Sequence, residues 1–381
     1  MMGARQVGKS TLAHAIASQR GMACHTLDDS DALLYAQADP SGFLADLGDE
    51  GAFIDEVQRA PDLLVAIKAV VDLEQRNGRY LLSGSAQPKI RSGVGDSLVG
   101  RVSYRTLRPL LTSELRYSIE GSAWSMLFGD ETELLAELAL RPMRHGDLDW
   151  RQVVPVGGYP RVVAAPPDAR REIASNYLET FIARDLPEVL SVSSHEHFGR
   201  FVRVLATRVG QPQNTNSLAG ELNISANTAA RWIDALERSY LLERIPAFYV
   251  NAGHRITKAA KLFFNDAALA LVAANETLPN GMHLENFLAT DLKVWEESRP
   301  GRVVYHWRVQ GGAEVDFILE QDQGRVAVEV KGTNSVGPSD TKHLQRYVND
   351  HGAVRGVLLS ADPEVRLLAR NVVAAPWWAA V

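Results

Sequence analysis

The sequence predicts an α/β chain of several domains, and three stretches carry that prediction. The first is "GARQVGKSTL", a glycine-rich loop that runs into a helix. The second, "NSLAGELNISANTAARWIDALERSYLLERI", has the apolar spacing of a helix-turn-helix. The third, "GGAEVDFILEQDQGRVAVEVKGT", alternates like two paired strands. The 381 residues, 46% of them apolar, suffice for two or three cored domains.

Composition narrows the class of protein. The single cysteine, Cys24, excludes an intramolecular disulfide and a zinc site of several cysteines, which fits a reducing, cytoplasmic compartment. No stretch approaches the roughly 18 apolar residues of a membrane helix, so we expect no membrane partner. The net charge of −6 gives no general attraction to nucleic acid. Any contact with a phosphate backbone must therefore come from a local patch.

The opening loop matches the pattern G-x-x-x-x-G-K-[ST] of phosphate-binding loops. Backbone N–H groups of such a loop cradle phosphates at a helix N-terminus, the lysine reaches the β and γ oxygens, and the serine hydroxyl holds Mg²⁺. We therefore predict ATP and Mg²⁺ as ligands. The predicted nucleotide-binding residues here are Gly3, Gly8, Lys9, Ser10 and Thr11.

Two features flank this loop. Only Met1 and Met2 precede the loop, at a place where an apolar strand normally anchors it. Without that strand the affinity for phosphate should fall, unless the start of the gene was placed too far downstream. The sequence leaves a misplaced start and a truncated ATPase open. Behind the loop, good helix formers predict a helix with Leu12, Ala15 and Ile16 on one face and Gly21 as its stop signal.

A second half of the site follows in "GAFIDEVQRAP". The short apolar strand ends in Asp55, 46 positions after Lys9, with Glu56 next to it. A carboxylate at the tip of a buried strand can hold the Mg²⁺ shell, and its neighbour can polarise the attacking water. We assign these functions to Asp55 and Glu56. In "RYLLSGSAQPK", Ser83 or Ser85 is placed to sense the γ-phosphate, with a plain strand-to-turn function as the alternative.

The stretches "GARQVGKSTL", "FIDEVQRAPDLL", "RYLLSGSAQ" and "SLVGRVSYRTLRPLLTSEL" occur in that order. Together they resemble the prokaryotic AAA-type ATPases that carry a C-terminal domain of unknown function with a restriction-endonuclease-like core. The resemblance implies a P-loop NTPase domain of the AAA type and a restriction-endonuclease-like domain at the C-terminus. Together with the helix-turn-helix stretch, it predicts an α/β fold in which the P-loop NTPase domain is followed by a winged-helix unit and the restriction-endonuclease-like domain. It also implies that Arg101 lies near the nucleotide, in the same chain or from a neighbouring subunit of a homo-oligomer. A surface ion pair is the alternative for Arg101.

These patterns divide the chain into four parts. We expect a P-loop ATPase domain over 1–120 that lacks its first strand, and a helical linker or lid region over 121–195. A winged helix-turn-helix is expected over 196–260 and a nuclease-like domain over 261–381. The linker contains "VVPVGGYPRVV" and "NYLETFIARDLPEVL", which we assign no chemistry.

The helix-turn-helix stretch suggests DNA as a partner. Ser225 is the predicted N-cap of a helix from about 226 to 238, whose exposed start presents Asn227, Thr228 and Arg231 to base edges and phosphates. Residues 196–261 contain nine Lys or Arg against five Asp or Glu, a local excess of positive charge. Winged-helix units also serve as packing or protein-contact modules, and that alternative stays open.

The third stretch predicts an antiparallel hairpin around the turn "QDQG". In the simplest register the numbers of paired residues add to 645. Strict alternation then separates an apolar face from a polar one. The predicted polar pairs are Asp316 with Glu329 and Glu314 with Lys331.

A helix in "GMHLENFLATDLKVWEE" adds Glu285 at the edge of its apolar face. Glu285, Asp316, Glu329 and Lys331 resemble a nuclease core, in which carboxylates bind Mg²⁺ or Mn²⁺ and the lysine activates water for phosphodiester cleavage. A strand pair with one solvated charged face is the alternative.

The function that we predict is an ATP-hydrolysing AAA-type ATPase that acts on DNA, or is regulated by it, through the winged helix and the metal-dependent nuclease-like domain. Mg²⁺-dependent deoxyribonuclease activity is a second enzymatic hypothesis. Two alternatives without cutting remain: an ATP-responsive DNA-binding switch, and an antitoxin-like interaction protein that binds another protein.

Overall fold

The computed structural model describes residues 1–85, 100–116, 122–145, 148–185, 195–249, 259–309, 312–322 and 324–381, without the side chains of 142–145 and 184–185. Every predicted site residue lies within these ranges. The chain forms two compact units, which are described separately. The first contains 1–108 and 238–240, and the second 109–237 and 241–381. Throughout the described ranges, no helix combines the length and the apolar character that a membrane span requires.

The first unit is built on a parallel sheet in the order β1 (Ala23–Thr26), β2 (Ala52–Asp55), β3 (Tyr80–Leu82). All four residues of β2 are buried, as expected for a central strand covered on both faces. Met2 forms isolated parallel bridges to both Gly84 and Thr106, so the residue just before the loop lies in a strand-like position. The elements are α1 Lys9–Gln19, β1 Ala23–Thr26, α2 Ser30–Ala38, α3 Pro40–Asp46, β2 Ala52–Asp55, α4 Pro61–Glu74 and β3 Tyr80–Leu82.

Helix α1 forms where the sequence predicts it, and the face that it buries is not the one with Leu12, Ala15 and Ile16. Ala13 and Ala17 are fully buried in a cluster with Phe53 of β2, whereas Leu12 is 42% exposed. Alanines at i and i+4 let the helix approach the strand closely, and this packing decides which face is buried.

The second unit begins with a series of helices. The turn "GGYP" leads into α8 (Pro160–Val163), and its Gly158 N–H donates a 2.6 Å hydrogen bond to Asp266 Oδ2. This bond ties the turn to the start of a helix more than 100 residues away in sequence. The helices of this part are α5 Thr112–Leu115, α6 Glu131–His145, α7 Trp150–Val153, α8 Pro160–Val163 and α9 Arg170–Thr180, followed by a π-helix at Phe181–Asp185.

Three helices and a two-stranded antiparallel sheet follow. They are α10 His195–Ala206, α11 Thr215–Glu221, α12 Ala226–Arg238, β4 Leu242–Ile245 and β5 Lys261–Phe264. The edges of Phe198 and Phe201 pack on Trp232 of α12, with ring centroids 5.2 and 5.1 Å away. The Ser225 Oγ accepts a 3.0 Å hydrogen bond from Thr228 N, which confirms the predicted N-cap of α12.

The C-terminal part contains a six-stranded mixed sheet in the order β10-β11-β9-β8-β7-β6. Helix α14 packs on β6 and β8, and α15 on β7, β8 and β9. The strands and helices of this part are α13 Ala267–Ala273, α14 Gly281–Ser298, β6 Val303–Arg308, β7 Glu314–Gln321, β8 Gly324–Lys331, α15 Lys342–His351, β9 Arg355–Ser360, β10 Arg366–Ala369 and β11 Val372–Pro376.

The β7–β8 hairpin confirms the predicted register in part. The paired residues run from Phe317–Val328 to Gln321–Gly324, with Glu320 opposite Arg325 as expected. Along the β6–β7 ladder, however, the register shifts between the Tyr305–Ile318 pair and the Trp307–Val315 pair. Because β7 advances by three residues there while β6 advances by two, strict alternation is broken.

The register shift changes the environment of the predicted polar pairs. Asp316 and Glu329 lie beyond the last pair of the β7–β8 ladder, and Asp316 Oδ2 instead accepts a 2.9 Å hydrogen bond from Val330 N. Ile318 and Ala327, which strict alternation puts on the polar face, are fully buried. The predicted division into one apolar and one polar face is therefore wrong.

Candidate functional site

The opening loop has the geometry of a phosphate-binding loop at a helix N-terminus. Gly8 stands at the N-cap of α1 with φ of 96°, a left-handed conformation that favours glycine. Gly3 has φ of 146°, and a Cβ there would lie 2.1 Å from the Leu107 carbonyl oxygen. The two glycines thus allow the backbone path between them. Thr11 is exposed in the first turn of α1.

Lys9 is the buried cation of this loop, with 5% of its surface exposed. Its Nζ donates a 2.7 Å hydrogen bond to the Ala4 carbonyl across the loop. Burial lowers the pKa of Lys9 below its usual value, an effect that the nearby Glu56 and Asp55 carboxylates oppose. Phosphate oxygens would favour the charged form of Lys9 just as these carboxylates do. The ammonium is therefore suited to leave the Ala4 carbonyl and bind a phosphate instead.

Asp55, at the end of β2, is the centre of a small polar network. Its Oδ2 accepts a 2.6 Å hydrogen bond from Ser10 Oγ, and its Oδ1 accepts from Ser83 Oγ and, at 3.1 Å, from Glu56 N. A serine hydroxyl and a carboxylate that converge from loop and strand fit the oxygen ligands of Mg²⁺. The structure thus brings Ser10 and Asp55 together as predicted.

Glu56 leaves the strand in a left-handed conformation, with φ of 56° and ψ of 39°. Its Oε2 accepts a hydrogen bond from Gln58 Nε2 and a second one, of 3.1 Å, from Ser85 Oγ. Arg5 of the loop reaches the same Ser85 Oγ at 3.4 Å. Glu56 and Ser85 are therefore neighbours, and Gln58 is a further member of the site that the sequence pattern did not single out.

Arg101 is held by an ion pair with Asp72, near the C-terminal end of α4. The hydrogen bond from Arg101 lowers the pKa of the Asp72 carboxyl. Both side chains are partly exposed. This is the surface pairing that the sequence left open as the alternative for Arg101.

A second group of charges lies in the C-terminal part and centres on Lys261 of β5. Its Nζ is 2.9 Å from Glu285 Oε1, 2.9 Å from Glu314 Oε1 and 3.2 Å from Asp316 Oδ1. The lysine is 1% exposed. Its ammonium therefore lies among three carboxylates that come from a helix and a strand. We refer to Lys261, Glu285, Glu314 and Asp316 as the Lys261 cluster.

Glu329 and Lys331 border this cluster. Glu329 Oε2 is buried and has no hydrogen-bond partner among the described residues, and its Oε1 is 3.8 Å from Lys331 Nζ. Burial, with Asp316 adding to it, raises the pKa of Glu329 to about 9. The same two causes raise the pKa of Glu285 to about 8. If Glu285 and Glu329 were ionised, they would place more negative charge in the buried site than it can stabilise. Protonation of these two carboxyl groups removes that charge.

The Lys261 cluster differs from the predicted metal site. Glu285 and Asp316 do come together, but the cation between them is the Lys261 ammonium. Within the part of the chain that the structure describes, no group of three or more His, Cys, Asp or Glu side chains is arranged to hold a metal ion. The sequence patterns did not single out Lys261, although a lysine at the start of the apolar run "KLFF" is a signal for a buried cation.

The predicted DNA-contacting residues lie at the start of α12. Asn227 and Arg231 are exposed, and Thr228 is half-buried. The Thr228 Oγ1 is 2.8 Å from Ser225 Oγ, so its hydroxyl takes part in the helix cap. Asn227 and Arg231 are thus the two side chains of this set that face solvent.

Comparison with known families assigns a class to the N-terminal part. A model described as an AAA domain matches residues 1–116. A domain of unknown function (DUF8612) matches residues 147–279, and another (DUF4143) matches residues 280–379. These matches fit an AAA-type ATPase with a C-terminal domain of unknown function. The AAA match supports ATP binding and an ATPase-type function.

Two mycobacterial proteins are similar along the chain. The uncharacterized proteins Mb2031c of Mycobacterium bovis and Rv2008c of Mycobacterium tuberculosis are each 26% identical over 386 residues. The similarity covers 99% of this chain and 79% of each relative. Among solved structures, protein VC1899 from Vibrio cholerae is 12% identical with a TM-score of 0.19, covering 92% of this chain and 90% of that one. A TM-score of that size supports no conclusion about fold.

Proposed function

We propose that the N-terminal unit binds and hydrolyses ATP, with Glu56 as the residue that activates the attacking water. The observation that carries this proposal is that Ser10 donates a hydrogen bond to Asp55, while the buried Lys9 ammonium lies close enough to Glu56 and Asp55 for their charges to oppose the lowering of its pKa by burial. Lys9 and the N-terminus of α1 bind the phosphates, and their positive charge favours the transition state. Ser10 and Asp55 hold Mg²⁺, which when bound neutralises phosphate charge.

The test is Mg²⁺-dependent ATP hydrolysis by the whole chain and by Glu56→Gln. We expect the substitution to lower kcat by about 100-fold or more, because general base catalysis contributes that much. Glu50→Gln, an exposed residue just before β2, is the control and should keep the wild-type rate. Hydrolysis by Glu56→Gln at the wild-type rate would contradict the assignment.

For the region of α10 to α12 we propose a DNA-contacting surface in a winged-helix arrangement. The exposed Asn227 and Arg231 at the start of α12, in a segment with surplus positive charge, support it. ATP binding would then set the conformation or assembly of the chain on DNA, in a cytoplasmic protein. Arg101 as a residue that reaches the nucleotide of a second copy stays a prediction.

For the C-terminal part we propose a function without phosphodiester cleavage, although the sequence pattern resembles a nuclease core. The Lys261 ammonium lies where the carboxylates would bind Mg²⁺ or Mn²⁺, and that observation favours an ion-pair cluster that holds β5, α14 and β7 together. The test is incubation with linear and branched DNA in Mg²⁺ and in Mn²⁺. Cleavage that Asp316→Asn abolishes would restore the nuclease hypothesis.

A further inference from the structure

We propose that Gln58 is a positioning residue for ATP hydrolysis: its amide fixes the Glu56 carboxylate in the orientation that activates water. This inference rests on the proposed function of Glu56. It concerns a residue that the sequence pattern did not single out, and it follows from how the turn after β2 is built. Three observations support it: a strained backbone, a pair of hydrogen bonds on one oxygen, and the space left by a glycine.

The backbone at Glu56 is unusual for a residue with a long side chain. Its left-handed conformation, with φ of 56°, precedes a 3₁₀ turn formed by Val57–Arg59. Such conformations are unfavourable for a residue with a side chain and persist where surrounding contacts determine them. Residues two apart share one face of an extended strand but lie roughly 6–7 Å apart there. The turn instead brings the side chains of Glu56 and Gln58 within hydrogen-bonding distance.

The hydrogen bonds select one oxygen of the Glu56 carboxylate. Gln58 Nε2 and Ser85 Oγ both donate to Oε2, and Gln58 Nε2 also lies 3.2 Å from Ser85 Oγ. Two donors on Oε2 hold the carboxylate in one orientation and leave Oε1 as the oxygen that accepts a proton from water. A catalytic group that is already held in its reactive orientation lowers the free-energy barrier of the reaction.

The space for the Gln58 amide depends on Gly84. A Cβ at position 84 would lie 2.7 Å from Gln58 Oε1, closer than carbon and oxygen tolerate. Gly84 has no left-handed φ, so alanine could adopt its backbone conformation, and the side chain alone would displace the amide. Ser85, next in the chain, also contacts Arg5 of the phosphate-binding loop. The same hydrogen-bonded group therefore joins the loop to Glu56.

The first experiment measures steady-state ATP hydrolysis by Gln58→Ala and Gly84→Ala. Both should lower kcat by about tenfold or more while KM for ATP stays within about twofold, because the carboxylate loses its orientation and the phosphate contacts stay. Binding of a fluorescent ATP analogue with wild-type affinity shows that each variant is folded.

The second experiment separates positioning from a merely structural function. Gln58→Glu keeps the shape of the side chain but puts a second carboxylate beside Glu56, which raises the pKa of the base. We expect the acid limb of the kcat–pH profile to move to higher pH in this variant. If Glu56→Gln is inactive but the three variants keep the wild-type kcat and pH profile, this inference fails alone. If Glu56→Gln hydrolyses ATP at the wild-type rate, both the proposed function of Glu56 and this inference fail.

Discussion

Ser10 Oγ donates a 2.6 Å hydrogen bond to Asp55 Oδ2, although 45 positions separate the two residues in the chain. This contact joins the helix that follows the phosphate-binding loop to the end of β2. It is also the place where loop and strand oxygens can bind one Mg²⁺ ion. The contact therefore predicts that metal and nucleotide affinities depend on both side chains together.

We expect Ser10→Ala to weaken ATP binding in Mg²⁺ by about tenfold, the size of one lost charge-assisted contact, and to have less effect in EDTA. Titration with a fluorescent ATP analogue in both buffers measures the difference. Ser18→Ala, in an exposed position at the far end of α1, is the matched control. An equal loss with and without Mg²⁺ would show that Ser10 acts on the fold of the loop and not through the metal.

The Lys261 cluster predicts an unequal effect of two lysines. Lys261→Met leaves three carboxylates without their buried cation and should destabilise the second unit by about 3–5 kcal/mol. Lys331→Met, which removes a more exposed ammonium 3.8 Å from Glu329, should cost less than about 1 kcal/mol. Chemical denaturation followed by tryptophan fluorescence gives both values. Equal losses would contradict a structural function centred on Lys261.

The raised pKa of Glu329, about 9, predicts a pH dependence of stability. The native state holds this proton more tightly than the unfolded chain, so its stabilising contribution is complete below the unfolded pKa and is lost as pH rises through the folded pKa. Wild-type protein should therefore lose stability between about pH 5 and pH 9. Glu329→Gln has no titratable group at this position, so its free energy of unfolding should fall less over this pH range. The difference should be about 1.4 kcal/mol for each unit of pKa shift. Parallel stability profiles for the two proteins would rule out this explanation.

The exposed start of α12 predicts a salt-dependent contact with DNA. Arg231→Ala should weaken binding to duplex DNA and reduce the slope of log affinity against log salt by about one. Arg346→Ala, an exposed arginine that pairs with Asp350 on α15, is the control and should leave the slope unchanged. Fluorescence anisotropy from 50 to about 200 mM salt measures it. Identical slopes for Arg231→Ala and wild-type protein would remove α12 from the DNA surface.

Local chemistry was readable from the sequence where a short pattern determines the geometry. The glycine and lysine of the loop, the carboxylates at the end of β2 and the N-cap at Ser225 depend on residues close in the chain, and the structure has each where it was expected. The hairpin register likewise followed from the turn, as the Glu320–Arg325 pair shows. Such features depend on backbone geometry over a few residues.

Features that depend on distant parts of the chain were not readable. Lys261 lies on a strand that alternation marks only as apolar, and its carboxylate partners are 24 to 55 positions away. The register shift in β7 arises from its pairing with β6, which no pattern within the hairpin reveals. The buried face of α1 likewise depends on Phe53 of β2. In each case tertiary packing overrides the local pattern.

The most direct test of the central claim is equilibrium binding of ATP in Mg²⁺ by wild-type protein and by Lys9→Ala, with Lys68→Ala on α4 as the control. Lys9 is the buried cation that closes on the Ala4 carbonyl, so we predict that its removal weakens binding by about 10-fold or more. Lys68→Ala should bind like the wild type. Saturable binding of equal affinity by all three proteins would contradict the assignment of this loop as the ATP site.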